Sequence, residues 1–147
     1  MKITYCITAL LLCGCASAFA RIGETEAQIK SRYGKPTSSF RLIKAYFYKD
    51  FFIMVAFANG KSGMEIYQKR NSAPMSAAEI GSLLDANGGG TKWHQPIREG
   101  FDFYYKEKSR FAQYNALKNE LTVCEYGALN QLNQMNQVLD VKKMGGF

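Results

Sequence analysis

The chain has 147 residues, of which 47% are hydrophobic and 21% charged, and its formal net charge is +7. This length predicts one domain with its own core, and the ordinary apolar fraction with only three prolines excludes disordered, collagen-like and coiled-coil classes. Beyond the N-terminal segment no apolar run approaches the roughly 18 residues of a membrane span, which excludes a polytopic membrane protein.

The first twenty residues predict an export signal. Lys2 supplies a short positive segment, residues 7–12 form a compact apolar run, and small residues follow. Ala18 and Ala20 occupy the third and the first position before the cleavage point, which signal peptidase requires to be small. Cleavage after Ala20 starts the mature chain at Arg21 with a formal charge of +6, in the periplasm or the secreted space.

The same segment supports an alternative that ends in a lipid anchor. Residues 12–15, Leu-Cys-Gly-Cys, resemble a bacterial lipobox, in which Cys15 becomes the lipidated first residue and tethers the chain to a membrane. Cleavage after Ala20 instead leaves Cys124 as the only cysteine, so no intramolecular disulfide can form. Cys124 lies in an apolar strand pattern, which predicts a buried thiol.

A short helix and three strands are predicted over residues 22–70. Thr25 caps the helix by accepting a hydrogen bond from an amide of the first turn. Ile29 and Tyr33 lie on its apolar stripe, and Gly34 ends it. β-Branched and aromatic residues then predict three strands, near 42–49, 51–58 and 62–69. The second of these is apolar on both faces, so we expect it to be central and covered on both sides.

A second unit of the same design is predicted over residues 74–127. Ser76 and Glu79 form a capping box at the start of its helix. Residues 46–50, Tyr-Phe-Tyr-Lys-Asp, are echoed at a spacing of 57 by residues 103–107, Phe-Tyr-Tyr-Lys-Glu. Three strands are predicted, near 101–106, 110–117 and 120–126.

These patterns together predict an α+β fold. We expect a tandem pair of αβββ units in a single domain over 21–127, with short helices packed on an antiparallel sheet. Residues 128–147 follow as a helix and tail. Leu132, Met135 and Leu139 recur there at helical spacing between Asn and Gln residues, which is typical of an amphipathic helix. That helix either packs on the sheet or docks a partner.

Several short segments resemble a known family. They are Gly-Glu-Thr at 23–25, Tyr-Gly-Lys-Pro at 33–36, Ala-Tyr-Phe-Tyr at 45–48 and Val-Ala-Phe-Ala-Asn-Gly-Lys at 55–61. Their order over residues 22–68 resembles the SmpA/OmlA family, small lipoproteins of the outer-membrane β-barrel assembly machinery. The β-lactamase inhibitor protein is similar in kind, being a tandem pair of such units whose sheet grips another protein. The resemblance implies helices against one antiparallel sheet and a tendency to bind proteins, and it transfers no site residues.

The sequence contains no recognisable catalytic motif. His94 is the only histidine, and a small secreted hydrolase would use it with Glu99 or Asp102. The alternative is a loop histidine used for local hydrogen bonding. A metal site needs three or four ligands, which one histidine and one mature cysteine do not supply. We therefore predict no metal and no cofactor.

Aromatic residues are the candidate binding residues. Tyr46, Tyr48 and Tyr105 alternate along matched strands and so share a face within each unit. If that face is exposed it can bind an acidic protein partner, and if the helices cover it the rings are core. Trp93 is a further candidate anchor, because Trp and Tyr are common at the centre of interfaces.

We therefore expect an exported, non-enzymatic binding protein of the bacterial envelope or secreted space. It would recognise a protein partner, suited by charge to an acidic one, through its sheet face or loops. Export disfavours nucleic acid as a partner. The alternatives are the small hydrolase and a structural envelope component anchored through Cys15.

Overall fold

The computed structural model describes residues 21–90, 92–99, 102–106 and 109–131. The predicted signal of residues 1–20, with Cys15 and Ala20, lies outside the described residues. The predicted tail beyond residue 131 lies outside them as well.

The described chain is a single antiparallel sheet with short helices. Two helices are complete, α1 (Glu26–Tyr33) and α2 (Ala77–Asn87). Residues 126–131 are also helical. The eight strands are β1 (Ser38–Phe40), β2 (Ile43–Tyr48), β3 (Phe51–Ala58), β4 (Lys61–Lys69), β5 (Ile97–Glu99), β6 (Asp102–Lys106), β7 (Arg110–Asn115) and β8 (Glu120–Glu125). The α+β class is therefore confirmed.

Both complete helices begin as their sequences predict. In α1 the Thr25 side chain accepts from the Gln28 amide, and the Gln28 side chain accepts from the Thr25 amide. Ser76 and Glu79 make the same reciprocal pair at the start of α2. These capping boxes satisfy amides that the first helical turn leaves without partners.

The strand order is β1-β2-β3-β4-β8-β7-β6-β5, so β4 and β8 meet at the centre and β1 and β5 form the edges. The sequence predicts three strands after each helix, and the described residues form four. The unpredicted strands are β1 and β5, which are three residues long and made only of exposed residues. Strands this short at an edge carry too little apolar alternation to be recognised.

The helices cover one face of the sheet, here called the closed face. Ile53, Tyr67 and Leu121 lie directly opposite one another on three successive strands of this face. They join the core with side chains from both helices and with further strand residues. The helical members are Ile29, Tyr33, Ile80, Leu83 and Leu84.

The opposite side of the sheet, here called the open face, is only partly covered. Phe52 and Met54 of β3 lie on it and are half-buried. The expectation that this strand is covered on both sides therefore holds at Ala56 and Ala58, which are buried, and only in part at Phe52 and Met54. The strand is also third from the edge, not central.

One end of the open face is covered by the helix that begins at residue 126. A Cβ added to Gly63 of β4 would lie 2.3 Å from the Ala128 Cβ, so glycine is required for this close approach. The Phe111 and Tyr126 rings pack with their centroids 5.2 Å apart. The described start of the predicted C-terminal helix therefore packs on the sheet.

Candidate functional site on the open face

The repeated tyrosines face the helices. Tyr46 is 0% exposed and belongs to the core. The Tyr33 ring of α1 lies 5.6 Å from the Tyr46 ring and 5.1 Å from the Tyr48 ring, measured between centroids. Tyr48 and Tyr105 are half-buried against the same core. Burial raises the pKa of both Tyr46 and Tyr105. Tyr46 is therefore a core residue and not part of an exposed binding face.

Trp93 and His94 lie in the loop that follows α2. The Trp93 Nε1 donates to the Leu84 carbonyl at 2.7 Å, and its ring packs against the core. The His94 side chain is exposed, and its backbone amide donates to the Lys106 carbonyl at 2.9 Å. Asp102 accepts a hydrogen bond from the Gln113 side chain at 2.9 Å. These positions agree with a loop role for His94, and the hydrolase alternative stays a prediction.

A cluster of exposed apolar side chains lies on the open face of the N-terminal half. Phe40 is 64% exposed, Ile43 41% and Phe47 49%. Phe40 pairs directly with Ile43, and Phe47 pairs with Phe52, so all four side chains point to one side of the sheet. We call these four residues the open-face patch. Exposed apolar side chains grouped on one sheet face are typical of interaction sites.

Two arginines stand over the aromatic rings of this patch. The Arg41 guanidinium carbon lies 5.4 Å from the centroid of Phe40, and that of Arg70 lies 4.9 Å from the centroid of Phe47. Both arginines are exposed. The salt bridges found among the described residues involve Arg32, Lys44 and Lys69 and neither of these arginines. The open-face patch therefore combines apolar surface with positive charge.

A cluster of polar side chains, here called the Glu65 cluster, is buried under the helices. The Glu65 carboxylate is 0% exposed. The Tyr67 hydroxyl donates to its Oε2, and the Asn87 side chain donates to the Tyr67 hydroxyl at 2.9 Å. Its Oε1 has no hydrogen-bond partner in the described structure. Burial raises the pKa of Glu65 to about 7 and raises that of Tyr67 well above its ordinary value.

The buried cluster continues into the first described residues. The Ile22 amide donates to Asn87 Oδ1 at 3.0 Å, and the Gly23 amide donates to the Ser62 carbonyl at 2.7 Å. The Arg110 guanidinium donates to the carbonyls of both Ile22 and Asn87. Residues directly after the predicted cleavage point are thus built into the fold. Because Glu65 is enclosed, we assign this cluster a structural role.

A shallow depression of about 350 Å³ lies beside α1. Glu24, Gln28, Ser31 and Arg32 line it. The Arg32 guanidinium and the Glu24 carboxylate pair at 2.6 Å across its wall. The two charged side chains that line the depression are therefore paired with each other.

The described residues contain no group of three or more His, Cys, Asp or Glu side chains able to hold a metal ion. Within the same ranges no helix is long and apolar enough to cross a membrane. Cys124 is a free, fully buried thiol, as predicted, and burial raises its pKa to about 11.

The open-face patch and the Glu65 cluster were both missed by the sequence analysis. The patch has a signal, because Ile43 and Phe47 alternate with Tyr46 and Tyr48 along one strand and must point the opposite way. No sequence pattern indicates that Glu65 is buried, because a charged residue in a strand ordinarily faces water.

Comparison with known proteins gives weak likenesses. No protein-family model matches the chain, and no curated protein matches it. Two solved structures are similar in part. The C-terminal domain of TagH aligns with a TM-score of 0.39 and 12% identity, over 71% of this chain and 48% of that one. An extracellular protein containing an SCP domain from Bacillus anthracis str. Ames aligns with a TM-score of 0.41 and 10% identity, over 74% of this chain and 45% of that one.

This chain therefore spans about half the length of the two solved structures it matches. The resemblance of residues 22–68 to the SmpA/OmlA family and to the β-lactamase inhibitor protein stays a prediction.

Proposed function

We propose that this protein is an exported, non-enzymatic binding protein that holds a protein partner on its open-face patch. The observation that carries the proposal is the exposure of Phe40, Ile43 and Phe47 on the same face of the sheet. Burying such side chains against a partner is favourable by about 25 cal/mol per Å² of apolar surface. Export rests on the predicted signal of residues 1–20.

The proposed binding surface does not include the tyrosines that the sequence indicates as candidates. Tyr46 is fully buried, and the other three candidates pack against the core; they are Tyr48, Trp93 and Tyr105. To bind a partner, these side chains would have to break their contacts within the protein. The open-face patch requires no such rearrangement. It is also flanked by positive charge, which suits an acidic partner.

Crosslinking in cells tests this proposal. A photoreactive phenylalanine analogue is placed at Phe47, and a matched control carries it at Lys30, which is exposed on α1 on the other side of the sheet. We expect a discrete crosslinked product in the envelope or secreted fraction from position 47 and none from position 30. Equal crosslinking from both positions, or none from either, would contradict a binding role for the open face.

The form of attachment is a separate question that intact mass answers. A native chain that begins at Arg21 without added mass supports a soluble exported factor. A chain that begins at Cys15 and carries acyl mass supports the lipid-anchored alternative, in which the sheet is held close to a membrane.

We also propose that the two halves repeat one design. Its support is the strand order, which is symmetric about the β4–β8 pair. Each half begins with a helix started by a capping box and continues through four antiparallel strands. Both halves share one sheet, so the pair would act as a single domain over 21–127.

A further inference from the structure

We propose that the open-face patch binds an acidic amphipathic helix of another protein, with carboxylates that meet Arg41 and Arg70. This inference rests on the proposed function and specifies its partner. The partner's apolar stripe would lie along β2 and contact Ile43 and Phe47. Its acidic residues would stand at the two ends of that stripe.

The charge of the site selects carboxylates. Each guanidinium stands over the face of an aromatic ring, with its carbon 5.4 Å from the Phe40 centroid for Arg41 and 4.9 Å from the Phe47 centroid for Arg70. Stacking of this kind orients a guanidinium and leaves its edge N–H groups available for a carboxylate. A hydrogen bond between two charged groups is about twice as strong as one between neutral groups.

The spacing of the site selects a helix about three turns long. Arg41 stands at the end of the patch near Ile43, and Arg70 stands at the end near Phe47. These positions are four residues apart on β2, which is about 14 Å at the rise of an extended strand. A helix rises about 1.5 Å per residue and repeats its face every three turns, so carboxylates eleven residues apart lie on one face and span about 16 Å, close to this distance.

Two other occupants fit the charge poorly. A second copy of this chain would bring its own Arg41 and Arg70 to the same face, in a molecule whose mature charge is +6. The chain's own residues 132–147 contain Asp140 as their only acidic residue, beside Lys142 and Lys143. Neither supplies a carboxylate at each end of an apolar stripe.

Binding of a synthetic helix to the mature chain, residues 21–147, tests the inference. The probe is a fluorescent, helix-favouring peptide with a leucine stripe and two glutamates eleven residues apart, which places both on the same face as the stripe. A matched peptide carries lysines at those two positions. We expect the glutamate peptide to bind, as measured by anisotropy, and the lysine peptide to bind at least about tenfold more weakly. Affinity for the glutamate peptide should fall as salt is raised.

Variants of the protein locate the binding. The double variant Arg41→Glu with Arg70→Glu should weaken binding by at least about tenfold, because it places like charges together. The control pair Lys30→Glu with Lys92→Glu changes the net charge equally at exposed positions on α1 and in the loop after α2, away from the patch, and should leave binding unchanged. Phe47→Ser should also weaken binding. Circular dichroism and urea unfolding establish that each variant is folded.

Several results would overturn the inference. Equal binding of both peptides, or equal weakening by both charge-reversal pairs, would mean that Arg41 and Arg70 do not select carboxylates. Self-association that Phe47→Ser abolishes would assign the face to a second copy. Binding to equimolar phosphatidylglycerol–phosphatidylcholine vesicles, with no binding of either peptide, would assign it to a lipid surface.

The two proposals fail separately. If the photoreactive group at Phe47 captures a protein while the glutamate peptide does not bind, the binding function stands and the acidic helix is wrong. If neither experiment gives a product, the open face is not a protein-binding surface.

Discussion

At the scale of single residues, Glu65 is a carboxylic acid buried in the core, where its ionised form is unfavourable. Its carboxyl group is fully enclosed and receives a hydrogen bond from Tyr67 on only one oxygen. Burial raises its pKa from 4.5 to about 7. An enclosed carboxyl group strongly prefers its neutral form because the surrounding protein solvates charge poorly.

This pKa shift predicts a pH-dependent stability. Below pH 4.5 the carboxyl is protonated in both the folded and the unfolded chain, and its contribution is fully present. As the pH rises to about 7, only the unfolded chain ionises, so the folded state loses stability, by an amount on the order of 3 kcal/mol. Above that range the loss levels off.

Glu65→Gln should therefore stabilise the protein at pH 8 relative to the parent chain and have a much smaller effect at pH 4. Urea unfolding at several pH values measures the difference. Glu99→Gln is the control, because Glu99 is exposed and should show no such trend. A stability difference that is the same at all pH values would mean that Glu65 titrates normally in the folded chain.

At the scale of elements, sequence patterns correctly predict the features that depend on residues close together in the chain. Both helix starts depend on residues three positions apart, Thr25 with Gln28 and Ser76 with Glu79. Asn59-Gly60, between β3 and β4, is a residue pair typical of tight hairpins, and both residues have the positive φ that such turns require. The short edge strands β1 and β5 were missed because their pairing depends on the neighbouring strand and not on their own sequence.

The cap of α2 gives a prediction at this scale. Ser76→Ala removes the acceptor of the Glu79 amide, which is held at 3.2 Å, and should lower the free energy of unfolding by about 1 kcal/mol. Ser82→Ala is the matched control, since Ser82 lies on the exposed side of the same helix and donates only to the Ala78 carbonyl. Its effect should stay within about 0.5 kcal/mol. Equal losses from both variants would show that serine content, and not the cap, stabilises α2.

At the scale of the whole molecule, Arg110 joins segments that are distant in the chain. Its guanidinium donates to the carbonyl of Ile22, 88 residues away, and to that of Asn87 at the end of α2. It also lies beside Gly89, where an added Cβ would be 3.2 Å from its Nη1. One side chain thus holds the first described residues, the end of α2 and β7 together.

Arg110→Met should release this junction. The two carbonyls would lose their donor in a half-buried site, which is expected to cost about 1–3 kcal/mol of stability. Limited proteolysis should then remove residues near Ile22 faster than in the parent chain. Lys118→Met, at an exposed turn position, is the control and should change neither quantity. Unchanged proteolysis in the Arg110 variant would mean that the hydrogen bonds of Ile22 to Asn87 and of Gly23 to Ser62 hold the segment without Arg110.

The α+β class, both helix starts and the buried Cys124 could be predicted from the order of residues, because each depends on a short pattern. The side of the sheet that the helices cover could not. A strand with alternating residues such as Tyr46 and Phe47 presents two apolar faces, and its period alone does not say which one meets Ile29 and Tyr33 of α1. Contacts between residues far apart in the chain made that choice: α1 and α2 pack on the closed face, which buries Tyr46 and Glu65 and leaves Phe47 exposed.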